Sequence, residues 1–261
     1  MTLVKHELKQ GKMSLIVWAA SIIFLMVICV LLFPEMKGEM DSVGDMFASM
    51  GSFTQAFGMD RISFGSLLGF YAVECGNILG LGGAFFAAFY AVTMIAKEEK
   101  DHTAEFLLTH PVSRVRVITE KLAAVMLQIT LLNLTVLAAS LVSIACIGEE
   151  IPWKELLLLH LAYYILQVEL SGICFGVSAF LRRGSIGIGL GIATMMYFLN
   201  LISNITKEAE FLKYFTPFAY AEGTDIVTDV SLDGGLVALG LACGVLGIAV
   251  AYWKYCKKDI Q

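Results

Sequence analysis

The chain has 261 residues, of which 58% are hydrophobic and 16% are charged, and its formal net charge at pH 7 is −5. A soluble domain carries about 25% charged and roughly 45–50% apolar residues, so this composition excludes an ordinary soluble protein and indicates an integral membrane protein. The six cysteines show no CxxC spacing, which favours small buried side chains over disulfides or a metal site.

Six segments are long and apolar enough to cross a bilayer, since about 20 helical residues at 1.5 Å each span roughly 30 Å of hydrocarbon. They cover residues 13–33, 66–96, 122–147, 156–181, 185–205 and 234–253, approximately. Each must be helical, because a lone apolar strand would leave its backbone groups unsatisfied in lipid. The sequence therefore predicts one all-α transmembrane domain over residues 1–261.

Basic residues are unevenly distributed over the segments that join these spans. Thirteen of the 18 Lys and Arg residues lie in the two chain ends and in the segments that follow the second and fourth spans. The cytoplasmic segments of membrane proteins carry an excess of Lys and Arg. The count predicts a multi-pass protein of a bacterial-type cytoplasmic membrane, with both termini in the cytoplasm.

The N-terminal residues 2–12 place apolar and basic side chains on opposite sides of a helix. The apolar members are Leu3, Val4 and Leu8, and the basic members are Lys5, Lys9 and Lys12. This pattern predicts a short amphipathic helix on the inner membrane surface, with its cations near anionic lipid headgroups. A simple positively charged flank is the alternative.

The first and last outer segments are long enough to hold structure of their own. In residues 34–65, apolar side chains recur every three or four positions, which favours an amphipathic helix on the outer leaflet over a methionine copper site. In residues 206–233, aromatic side chains surround Pro217. We expect this second segment to form a helical hairpin that re-enters the membrane before the sixth span, sheltered by protein.

Two carboxylates and one glycine pair stand out inside the spans. Glu74 and Glu169 lie in the second and fourth spans, where a charged carboxylate is costly unless it faces the bundle interior or a wet cavity. They line a translocation path or hold helices together, and the sequence leaves both open. Gly187 and Gly191 form a GxxxG spacing that allows close helix packing, which includes packing against a second copy.

The most highly charged stretch, residues 97–121, separates the second and third spans. Its centre is an apolar group of Phe106, Leu107 and Leu108, for which a water-facing segment offers no core, so a partner protein is the expected burial site. Asp101 or Thr103 can cap a short helix there, which Pro111 would end, and Ser113 can cap the third span. An ordinary solvated loop is the alternative.

No catalytic motif is found in the chain. The patterns GxxxxGK[ST], HExxH and GxSxG do not occur, so we do not expect an enzyme. An intramembrane enzyme would need clustered titratable residues, and Glu74, Glu169 and His160 are the candidates.

The order of residues in the 97–121 stretch closely resembles the hallmark of the permeases of type-two ATP-binding-cassette (ABC) exporters. The matching positions are Glu98, Glu99, Thr103, Glu105, Leu107, Leu108, Pro111, Val112, Ser113, Arg114 and Lys121. Six spans, an N-terminal surface helix, cytoplasmic termini and an outer re-entrant hairpin also fit, so the resemblance covers essentially the whole chain. His102 departs from the family, which often has glycine before the threonine, and this bears on how the short helix begins.

The resemblance implies a coupling helix at about residues 98–110 that docks on a separate ABC ATPase. Its contacts would include Glu98, Glu99, Thr103, Glu105, Phe106, Leu107, Leu108 and Pro111. Two permeases, as a homodimer or a heterodimer, and two ATPases would form the complex; ATP and Mg²⁺ would bind to the ATPases, so no cofactor is expected in this chain. Membrane lipids are expected partners and nucleic acid is not.

The expected cargo is hydrophobic or amphipathic, such as a drug, an antimicrobial peptide or a lipid-like molecule, because the outer segments are apolar and no charged pore is evident. The alternatives are export linked to metalloenzyme maturation, sodium efflux, or a membrane scaffold or sensor with a permease fold.

Overall fold

A computed structural model describes residues 2–38, 51–57, 59, 62, 65–97, 112–181 and 185–257. In order, the helices are α1 (Thr2–Met36), α2 (Ser52–Ala56), α3 (Leu67–Met94), α4 (Arg114–Cys146), α5 (Trp153–Ser178), α6 (Ile186–Ile205), α7 (Gly223–Asp229) and α8 (Gly234–Lys257). Short 3-10 helices cover Lys207–Phe215 and Pro217–Ala219.

The six predicted spans correspond to α1, α3, α4, α5, α6 and α8, each of which is long and apolar enough to cross a bilayer. The described part of the chain contains no strand. The prediction of an all-α membrane protein with six spanning helices is therefore confirmed.

Residues 2–12 are the first turns of α1 and not a separate helix, which corrects the prediction for this segment. Val4, Glu7 and Gly11 are buried, whereas Lys5 and Lys9 are exposed. The buried side packs on protein: Gly11 lies against the Tyr90 ring of α3, and the backbone amides of Leu3 and Val4 donate to Glu120 of α4. These contacts explain why the segment continues α1; its lysines, Lys5, Lys9 and Lys12, are exposed, and their position near lipid headgroups stays a prediction.

Helices α3 and α5 form the centre of the bundle, and α1, α6 and α8 are largely exposed on its outside. Helix α5 packs against both α3 and α8, α4 packs against α1, and α6 packs against α3. Glycines permit the close approach of α3 to α5, since Gly76 and Gly80 lie against Tyr163 and Gly83 lies against Gln167. These three glycines of the second span thus serve packing inside the protomer.

Two local features concern the starts of helices: a side-chain cap at α4, which the sequence predicted, and an irregular turn near the start of α3. The Ser113 hydroxyl accepts a hydrogen bond from the Arg116 amide at 3.3 Å, so the predicted cap of the third span is confirmed. In α3, residues Tyr71–Cys75 form a π-helical turn. Such turns occur often at functional sites, and this one contains Glu74.

The start of α1 and the end of α8 lie at the same end of the bundle. The Arg114 guanidinium, at the start of α4, donates to the Cys256 carbonyl of α8 at 3.3 Å, and the start of α1 is bound to α4 through Glu120. We call this end the basic face and define it by Glu7, Lys97, Arg114, Lys121 and Lys257. The opposite face carries residues 206–233 and the ion pair of Lys37 with Glu149, at 2.7 Å.

Candidate functional site

The predicted ATPase-contacting residues lie outside the described part of the chain. They are Glu98, Glu99, Thr103, Glu105, Phe106, Leu107, Leu108 and Pro111. Their helix and their contacts therefore stay predictions. The structure describes both flanks of this segment, which end at Lys97 on one side and begin at Val112 on the other.

Both flanks are firmly held at the basic face. The ammonium group of Lys121 in α4 donates to the Met94 carbonyl at the end of α3, at 2.8 Å. The Ser178 hydroxyl at the end of α5 accepts from the amides of Ile95 and Ala96, at 3.1 and 3.4 Å. The chain therefore leaves α3 and enters α4 from positions that are fixed to each other and to α5.

A buried carboxylate completes this arrangement, and the sequence analysis missed it. Glu7 of α1 is 1% exposed and forms ion pairs with Lys97 and with Lys121, whose side chain is fully buried. The available signal was an acidic residue within an otherwise basic N-terminal segment. Periodicity alone assigned that segment to the membrane surface, so no interior partner was sought for it.

Glu169 lies between α5, α8 and the segment that precedes α8. It is 4% exposed, and it accepts a hydrogen bond from the Tyr220 hydroxyl at 2.8 Å. Gly240 of α8 lies directly against its carboxyl group, with no space for a side chain. These contacts are those expected of a side chain that holds helices together, and a role in a pathway stays a prediction.

Glu74 has different surroundings from Glu169. It is half-buried in the π-helical turn and has no hydrogen-bond partner among the described residues. The next turn is stabilised by Asn77, whose side-chain amide donates to the Val73 carbonyl at 2.7 Å and whose side-chain oxygen accepts from Tyr197 at 3.2 Å. The two predicted carboxylates therefore share no partner in the described structure, and they form no common site there.

Gly187 and Gly191 lie on the exposed side of α6. No atom of another helix in the described structure lies within 4 Å of where their Cβ atoms would be. Gly189, on the other side, lies against the Ala88 carbonyl of α3, with 2.8 Å from its ideal Cβ position to that oxygen. The GxxxG pair thus faces away from its own bundle, and its use in contact with a second copy stays a prediction.

A close backbone contact joins α5 to α8, and it was also missed. Ideal Cβ atoms on Gly172 and Gly176 would lie 2.6 and 2.7 Å from the carbonyl oxygens of Gly244 and Gly247. The same GxxxG spacing that drew attention to α6 is present here, at Gly172 and Gly176 and again at Gly240 and Gly244. The spacing could have revealed this contact.

Other buried polar groups form structural networks. The Tyr71 hydroxyl bridges Ser140 at 2.8 Å and His160 at 2.9 Å, which joins α3, α4 and α5. His160 does not contact Glu74 or Glu169, so these three candidates for an intramembrane enzyme are not brought together. Within the described residues, no group of three or more His, Cys, Asp or Glu side chains is placed to hold a metal ion.

The segment between α6 and α8 is partly buried in the bundle and partly borders a polar cavity. Phe218, Tyr220 and Ile226 are buried, and the amides of Asn200 and Asn204 donate to Glu222 at 2.8 and 3.2 Å. Its insertion into a membrane stays a prediction.

The cavity, of about 730 Å³, lies at the opposite face beside this segment. Its lining includes Glu210, Lys213, Asp225, Asp229 and Asp233. Lys213 donates to Glu210 at 2.7 Å, which lowers the pKa of that carboxyl and raises the pKa of the ammonium group. The cavity walls therefore carry charges of both signs.

Comparison with known proteins gives one informative result. The family model described as ABC-2 family transporter protein matches residues 1–260, which is nearly the whole chain. No curated protein matches the sequence.

Proposed function

The chain belongs to the ABC-2 transporter family, and on that premise we propose that it is the permease of an exporter driven by a separate ABC ATPase. As a member of this family it is a multi-pass transmembrane subunit of a transporter that works with an ABC ATPase, and not itself a catalytic protein. The proposal adds the direction of transport, the docking segment, the orientation in the membrane and the class of cargo.

The observation that carries the proposal is how the two flanks of residues 98–111 are held at the basic face. There Lys121 binds the last carbonyl of α3 and Ser178 binds the next two amides. A docked ATPase that displaced such a segment would act directly on the ends of two spanning helices. An ordinary solvated loop does not require that its two ends be fixed in this way.

The orientation follows from the same face. Thirteen of the 18 Lys and Arg residues belong to segments at the end of the bundle that holds both chain termini, which favours a cytoplasmic basic face. The apolar group of Phe106, Leu107 and Leu108 would then be available to a cytoplasmic ATPase. Burial of three large apolar side chains contributes about 1.5–3 kcal/mol each, enough to sustain docking.

The proposed mechanism assigns ATP binding and hydrolysis to the partner. ATP binding closes two ATPase subunits, their movement displaces the segment 98–111 of each permease, and the bundles change the side to which they give access. The proposed cargo is hydrophobic or amphipathic, and the proposed working unit has two permeases, most simply a homodimer. The exposed face of α6 with Gly187 and Gly191 offers a surface for their contact.

The test is a reconstitution of the chain in proteoliposomes with the ABC ATPase that copurifies with it. Transport would be measured with a fluorescent amphipathic dye, a cationic antimicrobial peptide and a fluorescent phospholipid. We expect ATP-dependent movement of at least one probe. Phe106→Asp, or Leu107→Asp, should abolish both ATPase copurification and transport, because a charged side chain would enter the apolar contact.

Phe211→Asp is the matched control, since Phe211 is exposed on the opposite face. This variant should retain ATPase binding and transport. Normal copurification and transport in Phe106→Asp would refute the assignment of the docking segment. Absence of ATP-driven movement of every probe by the unaltered complex would refute this cargo class, and a tag within residues 98–111 found outside the cell would refute the orientation.

A further inference from the structure

The ion pairs of Glu7 join three spanning helices at one point of the basic face. The carboxylate belongs to α1, Lys97 follows the end of α3, and Lys121 lies two turns into α4. These three residues are far apart in sequence, since Lys97 and Lys121 lie 90 and 114 positions after Glu7. We call this group of three residues the Glu7 cluster.

Each oxygen of the Glu7 carboxylate serves a different helix. Oε1 accepts from the Lys121 ammonium group at 3.2 Å, and Oε2 accepts from that of Lys97. This carboxylate therefore bridges the two flanks of the segment 98–111, and so α1 is bound to both of them.

The burial of the cluster makes this link stiff. Lys121 is fully buried and Glu7 is 1% exposed, while the Lys97 side chain is 27% exposed. In such surroundings a charge that loses its partner is strongly unfavourable, so Glu7 and Lys121 must move together, and Lys97 is bound to the same carboxylate. Further contacts fix the same turns: the Tyr90 hydroxyl donates to the Glu7 carbonyl at 3.3 Å, and Lys97 also donates to Gln10 at 3.0 Å.

We propose that Glu7 is a positioning residue for energy coupling, which transmits a displacement of residues 98–111 to the first span through Lys97 and Lys121. The inference rests on the proposed function, because it assumes that an ATPase displaces this segment. Glu7 is 1% exposed, so it offers almost no surface for direct contact with an ATPase or a cargo. It determines whether α1 follows when the ends of α3 and α4 move.

The mechanical link can be tested whatever the chain transports. Amide hydrogen exchange would be measured on the purified protein for Glu7→Gln, which removes the charge and keeps the shape. We expect exchange in residues 2–12 to become at least tenfold faster, while exchange in α5 stays unchanged. Lys9→Gln is the control, because Lys9 is exposed on the same helix and should leave exchange as it is.

Coupling itself would be measured as probe transported per ATP hydrolysed in the reconstituted complex. Glu7→Gln should reduce this ratio at least tenfold while the ATPase still copurifies in normal amounts, and Glu7→Asp should restore part of it. A merely structural role would lower the amount of folded complex and leave the ratio unchanged. Lys97→Gln keeps the buried pair of Glu7 with Lys121, so it provides a second test if Glu7→Gln fails to fold.

The two proposals fail in different ways. A Glu7→Gln or Lys97→Gln complex with the unaltered ratio of transport to hydrolysis would overturn the role of the Glu7 cluster and leave the exporter proposal standing. Unchanged hydrogen exchange in residues 2–12 would overturn the mechanical link by itself. No ATP-driven transport by the unaltered complex would count against the exporter proposal, and the exchange measurement would still decide whether the link exists.

Discussion

A leucine in place of Gly172 should destabilise the bundle, because the backbones of α5 and α8 touch at this position. An ideal Cβ on Gly172 would lie 2.6 Å from the Gly244 carbonyl oxygen and 2.9 Å from the Gly244 Cα. Both atoms belong to the backbone, so no side chain can rotate to make space. The helices would have to separate, and α8 packs more extensively against α5 than against any other described helix.

The size of the effect follows from two opposing contributions. Ordinary contact begins near 3.4 Å, so the first carbon alone requires a separation of about 0.8 Å, the difference between 3.4 and 2.6 Å. Overpacking of this kind costs about 1–3 kcal/mol, and leucine with three further carbons belongs at the upper end. The higher helix propensity of leucine returns up to about 1 kcal/mol. The free energy of unfolding should therefore fall by about 2 kcal/mol, or roughly 30-fold in the equilibrium constant.

The assay is reversible unfolding by sodium dodecyl sulfate in mixed micelles, followed by circular dichroism. Gly191→Leu is the matched control, because the same change in another spanning helix meets no described atom within 4 Å. It should leave the stability of the monomer unchanged or raise it by up to about 1 kcal/mol. Equal unfolding free energies for the two variants would refute the argument from the backbone contact.

Two further predictions concern buried hydrogen bonds. Tyr220→Phe removes the donor to the Glu169 carboxyl, which should lower the free energy of unfolding by about 1–3 kcal/mol; hydrogen exchange in residues 216–226 should then increase, and unchanged exchange would argue against this anchor. Asn133 donates to the Gln167 oxygen at 2.7 Å, while the other polar atom of each amide has no hydrogen-bond partner among the described residues. Asn133→Leu alone should therefore cost about 1–3 kcal/mol, whereas Asn133→Leu with Gln167→Met should be nearly neutral in the same unfolding assay, and equal losses for the single and double variants would contradict this.

The sequence was sufficient for those features of the fold that depend on one segment at a time. Six spans follow from the length of the apolar runs, because lipid allows no other solution for such runs. The cap at Ser113 follows from a serine placed just before a helical pattern, and the structure has it. The family was suggested by the residues between the second and third spans, in the stretch 97–121, and the family model confirms it.

The pairing of helices could not be predicted, because it depends on contacts between residues far apart in sequence. Gly172 meets Gly244, and Glu7 meets Lys121, through relations that no local pattern expresses. Residues 2–12 show the consequence. Their amphipathic pattern is real, but the partner of the buried side is protein from α3 and α4, whereas the pattern alone suggested lipid.

Each of the two faces holds a buried polar contact that reaches an exposed helix. At the basic face the flanks of residues 98–111 are bound to α1 through one buried carboxylate, and α1 is largely exposed on the outside of the bundle. At the opposite face Tyr220 binds Glu169, and the same carboxyl group lies against Gly240 of α8, another exposed helix. At each face a buried polar contact thus reaches a helix on the outside of the bundle, α1 at the basic face and α8 at the opposite face. Because α3 and α5 are the most buried of the six spanning helices, a displacement at either face moves α1 or α8 at lower cost than it moves the core.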